Sequence, residues 1–135
     1  MTEIVLDASV LLKWFVSQAE RGRDEALSLR AEYERGGLAV LVPSLLFLEL
    51  LNVAGRRWGW DEETINEVAG SLEDLGFDVM EPELRAVAAW VSRGLTAYDA
   101  AYVALAEQIG IQLVSDDTEV LASAEGIARP LIPST

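Results

Sequence analysis

The chain predicts an α/β fold in which a parallel sheet is covered by helices on both faces. Short apolar runs rich in β-branched residues alternate with longer segments of helical periodicity. No hairpin signal joins any two of those runs, so the strands are expected to connect through helices. The 135 residues, 51% of them hydrophobic, suit a single domain over residues 1–135 with a sizeable core.

Glu3–Leu6 reads as the first strand and stops at Asp7. A short helix, V-L-L-K-W-F-V, follows from Val10. Ser17–Arg35 is charged and rich in Ala and Leu, an amphipathic helix that Gly36-Gly37 ends. Leu38–Val42 is the second strand, stopped by Pro43, and Ser44 is placed to cap a helix over Leu45–Arg57. Trp58-Gly59-Trp60 breaks that helix, and Asp61 caps the next, Glu62–Leu75, which ends at Gly76. Phe77–Met80 is a short strand, and Pro82 opens a helix through Val91. Ala97–Ile109 is a helix with Thr96 before it and Gly110 at its end, where a left-handed backbone suits glycine. Ile111–Val114 is a strand, Thr118–Ala124 a short helix, and Ala128–Ile132 a last strand that Pro130 marks as an edge. The final residues are expected to fray.

Composition removes several classes of chemistry. The chain has no Cys and no His, which excludes disulfides, thiolate sites and the commonest general base. A bound metal must then be a hard cation on oxygen ligands, Mg²⁺ or else Mn²⁺. The formal net charge is -13, from 23 acids and 10 bases, so a general positive field for coating nucleic acid is absent. The same charge suits a basic protein partner. No apolar run reaches the ~18 residues of a membrane span, and the N-terminus lacks a basic start and apolar signal region. A cytoplasmic protein is expected.

Asp7, Glu49, Asp99 and the pair Asp116-Asp117 are the candidate site. Each has an ordinary structural use. Asp7 can end a strand, Thr96 and Asp99 have capping-box spacing, and Asp116 can cap the following helix with Asp117 in its first turn. Glu49 is harder to explain in that way, because its helix is otherwise apolar and an unpaired buried carboxylate is unfavourable. Asn52 and Arg56 lie at i+3 and i+7 from it. A parallel sheet would carry these acids to one edge, at the C-terminal ends of its strands. Clustered carboxylates repel one another unless a divalent cation sits among them. Such a site suits one or two Mg²⁺ ions and in-line phosphodiester hydrolysis, which needs no His, Cys or Lys base.

M-T-E-I-V-L-D-A-S-V-L-L-K-W-F, L-E-L-L-N, T-A-Y-D-A-A-Y-V-A-L-A and L-V-S-D-D, taken in order, resemble the PIN-domain ribonucleases, and among them the VapC toxins of toxin–antitoxin pairs. The resemblance runs from Ile4 to about Pro130. It implies a three-layer α/β/α sandwich around a parallel sheet and a Mg²⁺-dependent endoribonuclease acting as a type II toxin. It maps the metal-binding and catalytic acids to Asp7, Glu49, Asp99 and Asp117, and leaves Asp116 within reach of either the metal or a water. Ser9, Asn52 and Ser115 take supporting places, Ser115 standing where the family usually has Thr. It also implies a homodimer and a cognate antitoxin that places a basic segment in the acidic groove.

A non-catalytic or housekeeping PIN-fold protein is the alternative, as is another Mg²⁺-dependent phosphotransfer domain. The latter fits poorly: a receiver domain needs a late lysine and the only Lys is Lys13, while a dehalogenase-like site needs D-x-D where this chain has D-A-S. Arg56 and Lys13 are candidate contacts to substrate phosphate. The tryptophans are expected in packing rather than in base stacking.

Overall fold

The computed structural model describes residues 1–15 and 20–132. Strand β1 (Thr2–Leu6) leads into helix α1 (Ala8–Leu11), which tightens into a 3₁₀ turn over Leu12–Trp14. Helix α2 (Arg23–Glu34), strand β2 (Leu38–Val42) and helix α3 (Leu45–Asn52) follow, then a π-helical turn over Val53–Arg57. Helix α4 (Glu62–Asp74), strand β3 (Asp78–Val79) and helices α5 (Leu84–Val91) and α6 (Ala97–Ile109) come next. Strand β4 (Gln112–Ser115), helix α7 (Thr118–Ser123) and strand β5 (Ala128–Pro130) complete the described chain.

The sheet has five strands in the order β3-β2-β1-β4-β5, all parallel. Register pairs Ile4 with Val40 and with Gln112, so β1 lies at the centre. The chain builds outward from β1 through β2 to β3, then returns to place β4 on the other side of β1. That reversal puts the topological switch point between β1 and β4, where open α/β sheets form their ligand crevice. With helices packed against the sheet, the architecture is a three-layer α/β/α sandwich.

Burial explains which helix is central. In α6, every residue from Ala100 to Ala106 is buried. An all-round apolar helix of that kind belongs in a core, and its alanines let it lie close on β1 and β4. Thr96 caps it, accepting from the Asp99 amide at 3.1 Å, and Gly110 ends it at φ 79°. Both ends agree with the local signals. Because α6 runs back toward the start of β4, its N-terminus, and with it Asp99, lies at the C-terminal edge of the sheet.

Several boundaries differ from expectation. The helix expected over Ser17–Arg35 starts at Arg23, after Gly22 at φ 84°. Its expected beginning, and Val16 before it, fall in residues 16–19, outside the described residues. Residues 133–135, expected to fray, also lie outside them. Ser44 makes no side-chain cap to α3 and its backbone is already helical. Instead its amide donates to Glu81 Oε1 at 2.9 Å, a carboxylate supplied from beyond β3. The helix expected to run unbroken to Arg57 widens after Asn52, where the Trp58 amide reaches the Val53 carbonyl at 3.0 Å. Such a π turn rotates Arg56 away from the face it would share with Glu49 on a continuous α-helix. The third strand shrinks to Asp78–Val79, and β5 ends at Pro130, on the sheet edge.

Candidate active site

Asp7 follows the central strand and is itself buried, at 3% exposure. It caps α1, with Oδ1 accepting from the Val10 amide at 3.4 Å. The Ser9 hydroxyl donates to the same oxygen at 2.5 Å, and the Ser115 hydroxyl, fully buried at the end of β4, also bonds Asp7. These serines have a second task. The Asp116 amide donates to Ser9 Oγ at 3.0 Å, and the Asp117 amide donates to Ser115 Oγ at 3.1 Å. A hydroxyl has one proton to give. By accepting from an amide, each serine keeps its own proton directed at Asp7. The two neighbouring strand ends are thus tied together across the switch point.

The acids after β4 divide the work in the opposite way from the capping expectation. Asp117, rather than Asp116, caps α7, its Oδ1 accepting from the Glu119 and Val120 amides at 2.9 and 3.0 Å. Asp116 turns its carboxylate toward Lys13, with Oδ2 3.3 Å from Nζ.

Glu49 reaches the same edge from α3. It is half-buried, and Tyr102 donates its hydroxyl proton to Oε1 at 2.6 Å. Tyr102 is 1% exposed and stands three residues after Asp99 on α6, so one helix face supplies both an acid and the donor that orients another acid. This contact joins α3 to α6 across 53 residues of sequence.

The charges of these groups interact, and Asp99 is where they meet. Burial is the main cause holding the Asp7 carboxyl up at about 6 from the ordinary 3.8, with hydroxyl and amide donors working against it and the Asp99 charge adding to it. Glu49 is pushed up by burial and by Asp99, and Tyr102 opposes the rise. Asp99 is pushed up by burial, then by Asp117. Asp7, Glu49 and Asp117 all lie within electrostatic reach of one acid at the start of the central helix. Burial raises the Tyr102 hydroxyl as well, so it stays a donor.

The donor set is all hard oxygen, and burial and mutual repulsion disfavour several of its anions; a divalent cation relieves both. Among the described residues no three acids close tightly enough to form a ready-made cage. Mg²⁺ is the cation that tolerates this, since it retains waters and takes few carboxylates. The residues therefore fit Mg²⁺, or Mn²⁺ in its place.

The supporting candidates separate. Ser9 and Ser115 lie within the hydrogen-bond network. Asn52 and Arg56 are exposed on α3 and the π turn. Lys13 is not available to a substrate phosphate: its side chain is 7% exposed and paired with Glu20 Oε1 at 2.9 Å as well as with Asp116. Trp14 and Trp90 are core residues, and Trp58 packs on Trp60 with ring centroids 4.8 Å apart. Tyr102 is the residue sequence reasoning missed. Its spacing from Asp99 was the available signal, hidden because it reads as one more apolar core position.

A parallel sheet between helix layers, with carboxylates at its switch point, makes this an open α/β domain whose ligand crevice is acidic. Residues 4–126 match the PIN domain, and the chain belongs to that family. It is 36% identical over 69 residues to a protein named exonuclease VapC9 from Pyrobaculum aerophilum, covering 51% of this chain and 50% of that protein. The match thus spans about half the length of that relative. Its fold is similar to the crystal structure of PAE2754 from Pyrobaculum aerophilum (TM-score 0.69, 29% identity, 96% of this chain and 90% of that one). It also resembles FitAcB from Neisseria gonorrhoeae (TM-score 0.68, 19% identity, covering 93% and 95%) and FitAB bound to an IR36 DNA fragment (TM-score 0.67, 17% identity, covering 95% and 94%). At those last two identities the likeness speaks for the fold alone.

Proposed function

We propose that this chain is a divalent-metal-dependent endoribonuclease, the toxin of a type II toxin–antitoxin pair. The observation that carries the reading is the position of Asp99, at the N-terminus of the central helix and within electrostatic reach of Asp7, Glu49 and Asp117. Family membership and the name of the Pyrobaculum relative support it.

Asp7, Asp99 and Asp117, with Glu49, would hold Mg²⁺ or Mn²⁺. When bound, the ion supplies an activated water and charge neutralisation at the scissile phosphate. The chain's own groups do the rest. Ser9 and Ser115 present two hydroxyl protons to Asp7 and favour its ionised form. Tyr102 fixes the Glu49 carboxylate and leaves its second oxygen for the site. Asp117 commits Oδ1 to capping α7, which fixes the side chain and frees Oδ2. Asp99, Glu49 and Asp117 are each only partly buried, so the site is open to an RNA strand.

A net charge of -13 supports a basic antitoxin segment as the partner that covers this groove. Exposed Leu48, Leu84, Val91 and Tyr98 on α3, α5 and α6 support a homodimer. Among the described residues no helix is long and apolar enough to cross a membrane, and a cytoplasmic location suits an enzyme acting on RNA.

The deciding experiment uses a circular single-stranded RNA with Mg²⁺. Cleavage by the wild type and none by Asp99→Asn is the expected result. Degradation of linear RNA alone would move the reading to an exonuclease, the activity that the relative's name carries. No degradation of either substrate would sink it.

A further inference from the structure

The only lysine of the chain is buried, and it lies beside the acids without joining them. Lysine is almost never fully buried unless paired. Here Nζ meets Glu20 Oε1 at 2.9 Å and Asp116 Oδ2 at 3.3 Å. Its stem runs under Gly22, where an added Cβ would come 3.5 Å from Lys13 Cε and 3.2 Å from Leu131 Cδ2. Gly22 also holds φ +84°, a conformation side chains rarely adopt. The lysine stem thus packs against the Gly22 backbone at ordinary contact distance.

We propose that Lys13 is a positioning residue for the acidic site, its ammonium group drawing the Asp116 carboxylate aside and so fixing the turn that presents Asp117. This rests on the metal-dependent reading above. The turn after β4 is held at three points. The Asp116 carboxylate is on Lys13, the Asp116 amide is on Ser9, and the Asp117 amide is on Ser115. Ser9 and Ser115 in turn both bond Asp7. Without the ammonium group, the Asp116 carboxylate loses the cation that holds it to that side of the turn. Its release would loosen the amides that keep both serines directed at Asp7. Partners that orient first ligands in this way are worth about 10–100-fold in metal affinity or activity.

The test is Mn²⁺ binding to the full chain by calorimetry, together with steady-state RNA cleavage. Lys13→Met should weaken Mn²⁺ binding roughly 10-fold or more and lower kcat without raising KM for RNA. Glu20→Gln, which leaves the pair with Asp116 in place, should bind Mn²⁺ as the wild type does. Asp116→Ala should match Lys13→Met, and the double variant should be no weaker than either single change, because both break one tie. Asp116→Ala alters an exposed residue and keeps the test open should Lys13→Met fail to fold. Unchanged Mn²⁺ affinity in Lys13→Met, or in Asp116→Ala, overturns the proposal. Tighter binding in Lys13→Met also overturns it, since that would make Asp116 a ligand that Lys13 withholds. A rise in KM with kcat intact would return Lys13 to phosphate binding and overturn it too. A wild type that binds Mn²⁺ but cleaves no RNA sinks the ribonuclease reading alone, and one that binds no Mn²⁺ sinks both.

Discussion

Replacing Asp7 by Asn should make the metal-free protein more stable at neutral pH while removing its function. Asp7 is 3% exposed, and its carboxyl titrates near 6 rather than at 3.8. A carboxyl raised in the folded state favours folding when protonated. The stability it allows is fully present below 3.8 and is lost as pH rises through about 6. At about 1.4 kcal/mol per unit, the loss above that range is about 3 kcal/mol. Asn has nearly the same shape, carries no charge at any pH, and keeps an oxygen to accept from Val10 and Ser9. Its NH₂ must be accommodated beside the Ser115 hydroxyl, which makes the electrostatic figure an upper bound. The variant should therefore exceed the wild type by up to about 3 kcal/mol at pH 7.5, with roughly half that gap at pH 5. For a chain of 135 residues this corresponds to a Tm higher by about 10 °C. The assay is thermal and urea unfolding in EDTA from pH 5 to pH 8, since a bound cation would favour the wild type alone. A gap that does not grow with pH, or an Asn variant less stable than the wild type at pH 7.5, would refute the reasoning. The same Asn variant should cleave no RNA with Mg²⁺.

Asp99→Asn should abolish cleavage and weaken Mn²⁺ binding while leaving helix content unchanged by circular dichroism, because Thr96 still caps α6. Tyr102→Phe removes the hydroxyl from a half-buried carboxylate and should cost about 1–3 kcal/mol in urea unfolding, with the Glu49 carboxyl moving further upward in an NMR titration. Mn²⁺ affinity in the wild type should fall as pH drops below about 6, where protons compete for Asp7; affinity flat from pH 5 to pH 7.5 would remove Asp7 from the ligand set. Treatment with EDTA should stop cleavage, and added Mn²⁺ should restore it.

Local signals settled much of this molecule. Strand β2 and helix α6 stand at the expected residues, and Thr96, Asp61 and Gly110 act as their chemistry suggests. These features depend on nearest neighbours along the chain, so a linear reading reaches them. Glu49 stood out for the same reason, as a carboxylate in an apolar helix. The π turn after Asn52 did not, because a single glycine, Gly55, is compatible with an ordinary helix interior at modest cost and does not specify a wider turn.

Tertiary structure alone decided which acids stand near one another and what each one faces. The sequence placed Asp7, Glu49, Asp99 and Asp117 at the ends or faces of separate elements. The order β3-β2-β1-β4-β5 then set the switch point between β1 and β4 and brought the strand-end acids to it. Only packing could show that Tyr102 donates to a glutamate 53 residues away, or that Lys13 turns inward to Asp116 instead of outward to a phosphate. Propensity and periodicity specify where a backbone turns and which face is apolar. The partner of a buried polar atom is fixed by chain segments distant in sequence, and a single sequence carries no local trace of that choice.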